Sequence, residues 1–216
     1  MRYQLAIFDL DGTLLNTLED LTDSINYTLS MSGFPKRTIE EVRRFVGNGI
    51  RLLVERSVPR GTKEEKVNQI YLAFMEHYAA HCADKTRPYN GVVALLRRLR
   101  EAGIKTAVVS NKADSAVKEL CEKYFTGLLD EAVGEREGIR RKPAPDSIEE
   151  VLRNLEIGKA QAVYIGDSDV DVETAANAGL EQIAVTWGFR DKDCLLASGA
   201  KVFVSTPEEI DKIIIM

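Results

Sequence analysis

The chain has 216 residues, of which 44% are hydrophobic and 29% are charged, so it is long enough for a folded core with a sizeable insertion. Its formal net charge of -5 argues against a nucleic-acid partner, which needs a basic face to neutralise phosphates. No apolar run is long enough to span a bilayer, and the three cysteines, Cys82, Cys121 and Cys194, lack a CxxC spacing. We therefore expect a cytoplasmic protein that has neither a membrane segment nor a disulfide framework.

The first predicted element is a strand from Leu5 to Phe8, whose unbroken apolar run suits a strand buried on both faces of a parallel sheet. Two carboxylates, Asp9 and Asp11, end this strand, and Gly12 indicates a turn. Acids at the end of a buried strand are costly to desolvate, so they need a cation, a proton or hydrogen-bond donors. An ordinary Asx-turn is the alternative, but the apolar run favours a metal-assisted reaction centre.

Residues 16–86 contain several helical patterns and no convincing strand. Three of the predicted helices begin at a threonine followed three residues later by an acid, which is the pattern of a helix cap: Thr17 with Asp20, Thr38 with Glu41, and Thr62 with Glu65. The segment Gly47-Asn48-Gly49 breaks the second pattern and leaves room for a ligand to approach the backbone. The sequence therefore predicts a helical unit over residues 16–86, inserted into a core made of residues 1–15 and 87–216.

From Pro88 onward, predicted helices and strands alternate. The strands are predicted at residues 105–110, 131–134, 162–165, 183–186 and 201–204, and Asp114, Asp146 and Thr206 are predicted helix caps. This alternation is typical of βαβ units, so we expect an α/β fold with a doubly wound parallel sheet.

Polar residues follow several of these strands. Ser110 and Asn111 follow the second core strand, Lys142 lies in the loop RRKPAP, and Asp167 and Asp171 follow the strand AVYIG. Ligands bind such sheets at the carboxyl ends of the strands, so these residues are expected to join Asp9 and Asp11. Carboxylate oxygens suit Mg²⁺, and a lysine with small polar donors suits a phosphate.

Together these residues resemble the four motifs of the haloacid dehalogenase superfamily: DLDGT from Asp9 to Thr13, Ser110-Asn111, Lys142, and GDSDVD from Gly166 to Asp171. The resemblance spans the whole chain in the family's order. It implies a Rossmann-like core with an inserted helical cap. The dehalogenases lack the second acid of the first motif, so its presence as Asp11 points to phosphoryl transfer.

The resemblance also implies roles for these residues. Asp9 would be the nucleophile that forms an aspartyl-phosphate, and Asp11 would be the general acid and base. Mg²⁺ would be held by Asp9, the backbone carbonyl of Asp11 and Asp167, and Asp171 could bind a metal-bound water. Lys142 would offset charge on the nucleophile and the phosphate. The phosphate would also be held by four small residues: Gly12, Thr13, Ser110 and the amide of Asn111.

The segment from Gly47 to Arg51 resembles the cap loop of phosphoglycolate phosphatases, as does Ser110-Asn111-Lys112. We hypothesise that Arg51 or Lys112 meets a substrate carboxylate; the alternative is that both are solvated. The expected function is a magnesium-dependent phosphomonoesterase for a small phosphate ester, similar to phosphoglycolate phosphatases. A phosphomutase, a pyrophosphatase, a nucleotidase and a non-catalytic binding protein are the alternatives. The chain is expected to be a monomer or a homodimer.

Overall fold

The computed structural model describes residues 2–215, which divide into two compact units. One unit comprises residues 2–15 and 88–215, and the other comprises residues 16–87. The sequence-based prediction put the second boundary one residue earlier. Among residues 2–215, no helix is both long enough and apolar enough to cross a membrane.

The structure contains eight strands and ten α-helices within the described residues. The strands are β1 (Leu5–Phe8), β2 (Leu15–Asn16), β3 (Arg87–Pro88), β4 (Lys105–Ala113), β5 (Glu131–Glu135), β6 (Ala162–Gly166), β7 (Glu181–Val185) and β8 (Val202–Val204). The helices are α1 (Leu18–Met31), α2 (Ile39–Phe45), α3 (Ile50–Ser57), α4 (Glu64–His81), α5 (Val92–Glu101), α6 (Asp114–Phe125), α7 (Asp146–Asn154), α8 (Asp169–Ala178), α9 (Lys192–Ala197) and α10 (Pro207–Ile214).

Six of the strands form one parallel sheet in the order β5-β4-β1-β6-β7-β8. All four residues of β1 are fully buried, because β4 and β6 pair with β1 on either side and helices cover the sheet. Leu5 and Ile7 share a core cluster with side chains of α7 and α8, such as Val151 and Ala175. The expected α/β fold with a doubly wound parallel sheet is confirmed.

The strand β4 is longer than predicted. It continues to Ala113, which pairs with Glu135 of β5 after a register irregularity that begins at Val109. Ser110, Asn111 and Lys112 therefore lie within the strand and not in a loop after it. This local irregularity at the carboxyl edge of the sheet is where β4 carries its polar side chains.

Several predicted helix caps are wrong, because the acid at the expected cap binds a distant backbone group. The carboxylate of Asp20 accepts hydrogen bonds from the backbone N–H groups of Lys85 and Thr86. Asp114 likewise accepts from the N–H of Gly134, and Asp146 from the N–H of Arg140. Short helix α9 was not predicted, and α4 begins after Lys63, one residue later than expected.

Between the strand residues Asn16 and Arg87 at its two ends, the second unit contains only the helices α1 to α4 and the loops that join them. Thr38 and Glu41 form the predicted capping box at the start of α2. Gly49 has a φ of 86° and immediately precedes α3, so the break at Gly47-Asn48-Gly49 is also present. The unit has its own apolar core, in which Ile25, Leu29 and Phe74 are fully buried.

Candidate active site

The carboxyl end of β1 carries Asp9, whose N–H donates to the carbonyl of Ile165 in β6 at 2.9 Å. Asp9 is buried, with 7% of its surface exposed. Gly12 has a φ of 92°, in the left-handed region that favours glycine, and its N–H donates to the carbonyl of Leu15 at 2.8 Å. This tight turn ends the strand and keeps Asp9 at the edge of the sheet.

Lys142 reaches this edge from the loop before α7. Its Nζ lies 2.9 Å from Asp9 Oδ1, 2.7 Å from Asp171 Oδ1 and 3.0 Å from the hydroxyl of Tyr164. An ammonium has three N–H donors, so these three acceptors use all of them. Burial opposes the charge on this side chain, but Asp171 and Asp9 outweigh that effect and raise the pKa of Lys142 well above its ordinary value. The charged form of Lys142 is therefore favoured between the two carboxylates.

Asn111 fixes the backbone of Lys142. Its side-chain Nδ2 donates to the carbonyl of Lys142 at 3.1 Å, and the N–H of Lys142 donates to Asn111 Oδ1 at 2.8 Å. The side-chain amide of Asn111 thus binds the backbone of Lys142 at both its oxygen and its nitrogen. Ser110 lies beside it, and its Oγ accepts a bond from the N–H of Lys112 at 3.3 Å.

Asp167, which is 1% exposed, accepts one hydrogen bond on each carboxylate oxygen. Thr13 Oγ1 donates to Oδ1 at 2.8 Å, and the N–H of Phe189 donates to Oδ2 at 2.7 Å. Burial and the neighbouring Asp171 raise the pKa of Asp167 to about 7, although these two hydrogen bonds oppose the shift. The carboxylate is held in one orientation between the turn after β1 and the loop after β7.

Asp171 is fully buried in the first turn of α8, where Ser168 and Asp171 form a capping box. Asp171 Oδ2 accepts from the N–H of Ser168 at 3.0 Å and from Ser168 Oγ at 2.6 Å, while Oδ1 faces Lys142 and Tyr164. We expected this carboxylate to bind a metal-bound water. In the structure, its oxygens bind Lys142, Tyr164 and the start of α8.

One carboxylate oxygen from each of Asp9, Asp167 and Asp171 lies within 4.8 Å of the others, and this is the one such acidic or histidine cluster found among residues 2–215. Three carboxylates against the single ammonium of Lys142 leave two negative charges unmatched. Burial and the repulsion from Asp171 and Asp167 accordingly raise the pKa of Asp9 well above its ordinary value, against the opposing effect of Lys142. Such a buried set of oxygen donors fits a divalent cation.

The remaining predicted site residues have protein partners. Lys112 Nζ lies 3.1 Å from Asp11 Oδ1 and 3.2 Å from Oδ2, so Lys112 pairs with the second acid of the turn. Arg51 lies in the helical unit, where it pairs with Glu55 and Glu64 and donates to Asn68. The fold brings ten of the eleven predicted site residues to the carboxyl end of the parallel strands. The eleventh, Arg51, belongs to the helical unit.

Sequence reasoning missed Tyr164 and the loop after β7. A tyrosine inside a strand that is buried on both faces needs a partner for its hydroxyl, and that signal could have identified Tyr164. The loop contributes the N–H of Phe189 and the indole of Trp187, whose Nε1 donates to the carbonyl of Thr13 at 3.0 Å. A backbone donor leaves no mark in the sequence, so Phe189 could not have been found.

The sequence of this chain is similar to those of known hydrolases. The family model of haloacid dehalogenase-like hydrolases matches residues 6–185. A phosphoglycolate phosphatase from Mesorhizobium japonicum is 33% identical over 200 residues, which are 89% of this chain and 86% of that protein. Another from Agrobacterium fabrum is 34% identical over 195 residues, which are 87% of this chain and 82% of that protein.

A solved structure is similar over almost the whole chain. It comes from Lactobacillus delbrueckii subsp. bulgaricus and is provisionally assigned as a phosphoglycolate phosphatase. Its sequence is 39% identical to this one, the TM-score is 0.95, and the match covers 99% of each chain.

Proposed function

The chain belongs to the haloacid dehalogenase-like hydrolase family, and we propose that it is a phosphomonoesterase for a small phosphorylated metabolite, with phosphoglycolate as the first candidate. The observation that carries this proposal is the contact of 2.9 Å between Lys142 Nζ and Asp9 Oδ1 at the end of β1, beside the carboxylate of Asp167. A buried carboxylate that contacts a lysine and lies next to a site for a divalent cation is the arrangement that an aspartyl nucleophile needs. The similarity to phosphoglycolate phosphatases supports the choice of substrate.

In the first step, a carboxylate oxygen of Asp9 would attack phosphorus in line with the leaving oxygen. A bond from Asp9 to phosphorus forms, the bond from phosphorus to the ester oxygen breaks, and Asp11 gives its proton to that oxygen. In the second step, Asp11 takes a proton from water, and the resulting hydroxide attacks phosphorus. Phosphate leaves, and Asp9 returns to its ionised form.

Lys142 would act mainly through Asp9. Its three donors are used by Asp9, Asp171 and Tyr164, so it holds the nucleophile in place and favours its ionised form against the burial that raises its pKa. The phosphate oxygens would then be bound by Ser110, the backbone N–H of Asn111, and the turn at Gly12 and Thr13. These donors suit the negative charge that the transferred group carries.

The proposal includes Mg²⁺, because the buried cluster of Asp9, Asp167 and Asp171 carries more negative charge than Lys142 offsets. The carboxylates of Asp9 and Asp167 and the backbone carbonyl of Asp11 would hold the ion. Asp171 would add negative charge to the site without being one of these ligands, since its oxygens bind Lys142, Tyr164 and Ser168. When bound, Mg²⁺ supplies positive charge that offsets these carboxylates and the phosphate.

We further propose that residues 2–15 and 88–215 are the catalytic core and that the helical unit is a cap that reads the leaving group. The cap would carry Arg51 as a candidate for the substrate carboxylate, and Lys112 is the second candidate. A cytoplasmic location and the choice between a monomer and a homodimer stay predictions.

The test is a panel of phosphorylated metabolites, assayed for released phosphate with Mg²⁺ and with EDTA. We expect phosphoglycolate to be among the best substrates and EDTA to abolish turnover. Exchange of phosphoryl groups between positions of one sugar, with slow loss to water, would instead identify a phosphomutase. Phosphate release from pyrophosphate alone would identify a pyrophosphatase, and release from nucleotides alone would identify a nucleotidase.

The variant Asp9→Asn distinguishes an enzyme that uses Asp9 as its nucleophile from a non-catalytic binding protein. We expect it to lower phosphate release by about a thousandfold or more, because the nucleophile is lost. Asp193→Asn, on the exposed surface of α9, is the matched control and should keep full activity. Full activity in Asp9→Asn would overturn the proposal.

A further inference from the structure

The carboxylate of Asp167 is enclosed by the loop between β7 and α9. The N–H of Phe189 donates to its Oδ2 at 2.7 Å, and Gly188 lies directly against it. A Cβ built on Gly188 would lie 2.5 Å from Asp167 Cγ, a separation that real Cβ atoms essentially never show. Only a residue without a side chain fits at this position while Asp167 keeps its place.

The backbone of Gly188 does not itself require glycine, because its φ lies outside the left-handed region. Gly12, on another side of the same carboxylate, differs in this respect: its φ is 92°, and a Cβ there would lie 2.7 Å from Asp167 Cγ. The requirement at Gly188 is therefore one of space alone. A substitution there tests the position of Asp167 without straining the backbone conformation.

The loop is tied down at several points, so it cannot easily move away from an added side chain. Trp187 Nε1 donates to the carbonyl of Thr13 at 3.0 Å, and the N–H of Thr186 donates to the carbonyl of Val204 at 3.0 Å. Arg190 Nε lies 3.1 Å from Asp169 Oδ1, at the start of α8. These bonds join the loop to the turn after β1, to β8 and to the helix that follows Asp167.

We infer that the segment Trp187–Phe189 is a positioning element of the site, in which Gly188 provides the space that sets the place of Asp167 and thereby the affinity for a divalent cation. The inference rests on the proposed function in one respect, which is that Asp167 binds the cation. Groups that orient a metal ligand commonly change metal affinity by about 10- to 100-fold when they are mutated. Gly188 would act through Asp167 and not on the substrate.

The test is the dissociation constant of Mn²⁺ for the full chain without substrate, from the electron paramagnetic resonance signal of the free ion. We expect Gly188→Ala to raise the Kd for Mn²⁺ at least tenfold. The matched control is Gly158→Ala, since the φ of Gly158 also lies outside the left-handed region and a Cβ there would meet only Gln161 Oε1, at 3.6 Å. The control should keep the wild-type Kd. An unchanged Kd in Gly188→Ala, or an equal rise in both variants, would overturn the inference.

A second measurement covers the case in which Gly188→Ala does not fold. Asp167→Gly removes the side chain that the new Cβ would meet, including the Cβ of Asp167 itself. We therefore expect Gly188→Ala to lower the Tm of the wild-type chain more than it lowers the Tm of Asp167→Gly, both in EDTA. Equal losses of Tm in the two backgrounds would contradict the inference.

These results also separate the inference from the proposed function. A wild-type chain that neither binds Mn²⁺ nor needs a metal for turnover would overturn the proposed function, while the Tm comparison would still test the packing of Gly188 on Asp167. A wild-type chain that binds Mn²⁺ and releases phosphate, together with a Gly188→Ala variant of equal Kd, would overturn only the inference.

Discussion

Lys112 Nζ bridges both carboxylate oxygens of Asp11, at 3.1 Å and 3.2 Å. The side chain of Lys112 is only 3% exposed, so its ammonium is buried against Asp11 and does not extend into solvent. The pair fixes the carboxylate of Asp11, which is the proposed acid and base of the reaction. Lys112 therefore contacts the proposed catalytic acid, in addition to being a candidate for a substrate carboxylate.

Lys112→Met should slow the hydrolysis of an alkyl phosphate by about 10- to 100-fold, because a misplaced Asp11 protonates the leaving oxygen less well. The loss should be smaller for p-nitrophenyl phosphate, whose leaving group needs little protonation. The measurement is kcat for both esters, with Lys118→Met, which removes an exposed lysine paired with Asp114, as the control. An equal loss of kcat for both esters would contradict a role through Asp11.

Tyr164→Phe should lower the free energy of unfolding by about 1–3 kcal/mol, since a buried ammonium and a buried carboxylate each lose a hydrogen-bond partner. Burial and the neighbouring Asp171 raise the pKa of Tyr164 well above its ordinary value, so the hydroxyl keeps its proton. It accepts from Lys142 and donates to Asp171 Oδ1 or to the carbonyl of Val109.

Urea denaturation of Tyr164→Phe measures this loss, and phosphate release should fall about tenfold as Lys142 becomes less well oriented. Tyr71→Phe, at a half-buried tyrosine of the helical unit, is the control. Equal stabilities of the two variants would show that the hydroxyl of Tyr164 does not support Lys142.

The metal-free protein should lose stability as the pH rises from about 4 to about 7. Burial and the neighbouring Asp171 raise the pKa of Asp167 from 3.8 to about 7, so in this window the folded chain holds a proton that the unfolded chain has released. Stability falls with pH wherever the folded state binds more protons, by at most about 1.4 kcal/mol per pH unit for one such group.

Calorimetry in EDTA at pH 5, 6, 7 and 8 measures this slope. Asp167→Asn removes one of the two aspartates whose pKa is raised, the other being Asp9, so its Tm should depend less on pH than that of the wild type. Mg²⁺ should raise the Tm more at pH 8 than at pH 6, because the ion competes with the bound protons. Parallel pH profiles of the wild type and Asp167→Asn would contradict the assigned shift.

Arg51→Ala should raise the KM for phosphoglycolate about tenfold and leave the KM for an uncharged phosphate ester nearly unchanged, if this arginine meets the substrate carboxylate. In the structure, Arg51 pairs with Glu55 and Glu64, so it would have to exchange one of these partners for the substrate. Arg43→Ala on α2 is the control, as it removes an arginine that pairs with Glu40 of the same helix. If phosphoglycolate turnover is untouched in Arg51→Ala, the substrate carboxylate is bound elsewhere.

The centre of the site could be predicted from the sequence, because Asp9 and Asp167 follow strongly apolar strands directly. In a parallel sheet such strands end at the same edge, so residues 158 positions apart in the chain are brought together. Lys142 was predicted as a site residue from its resemblance to a family motif. Its contacts with Asp9 and Asp171 could not be predicted from the spacing of these residues in the sequence.

The partners of individual carboxylates were the hardest to predict. Asp20 and Asp114 each stand where a helix cap was expected, but each binds a backbone N–H brought close by tertiary structure. The capping pattern is local, and a buried donor from elsewhere in the fold competes with it. Phe189 and Gly188 illustrate the same limit, because they act through a backbone N–H and through the absence of a side chain.

Chemical trapping of phosphorylated Asp9 is the sharpest test of the proposed mechanism. The wild-type chain is mixed with phosphoglycolate and Mg²⁺, quenched in acid within the first turnovers, and reduced with borohydride, which converts an aspartyl-phosphate to homoserine. Peptide mass spectrometry should find homoserine at residue 9, only when both substrate and Mg²⁺ are present. Homoserine at another aspartate, or none at residue 9 while phosphate is released, would contradict the mechanism.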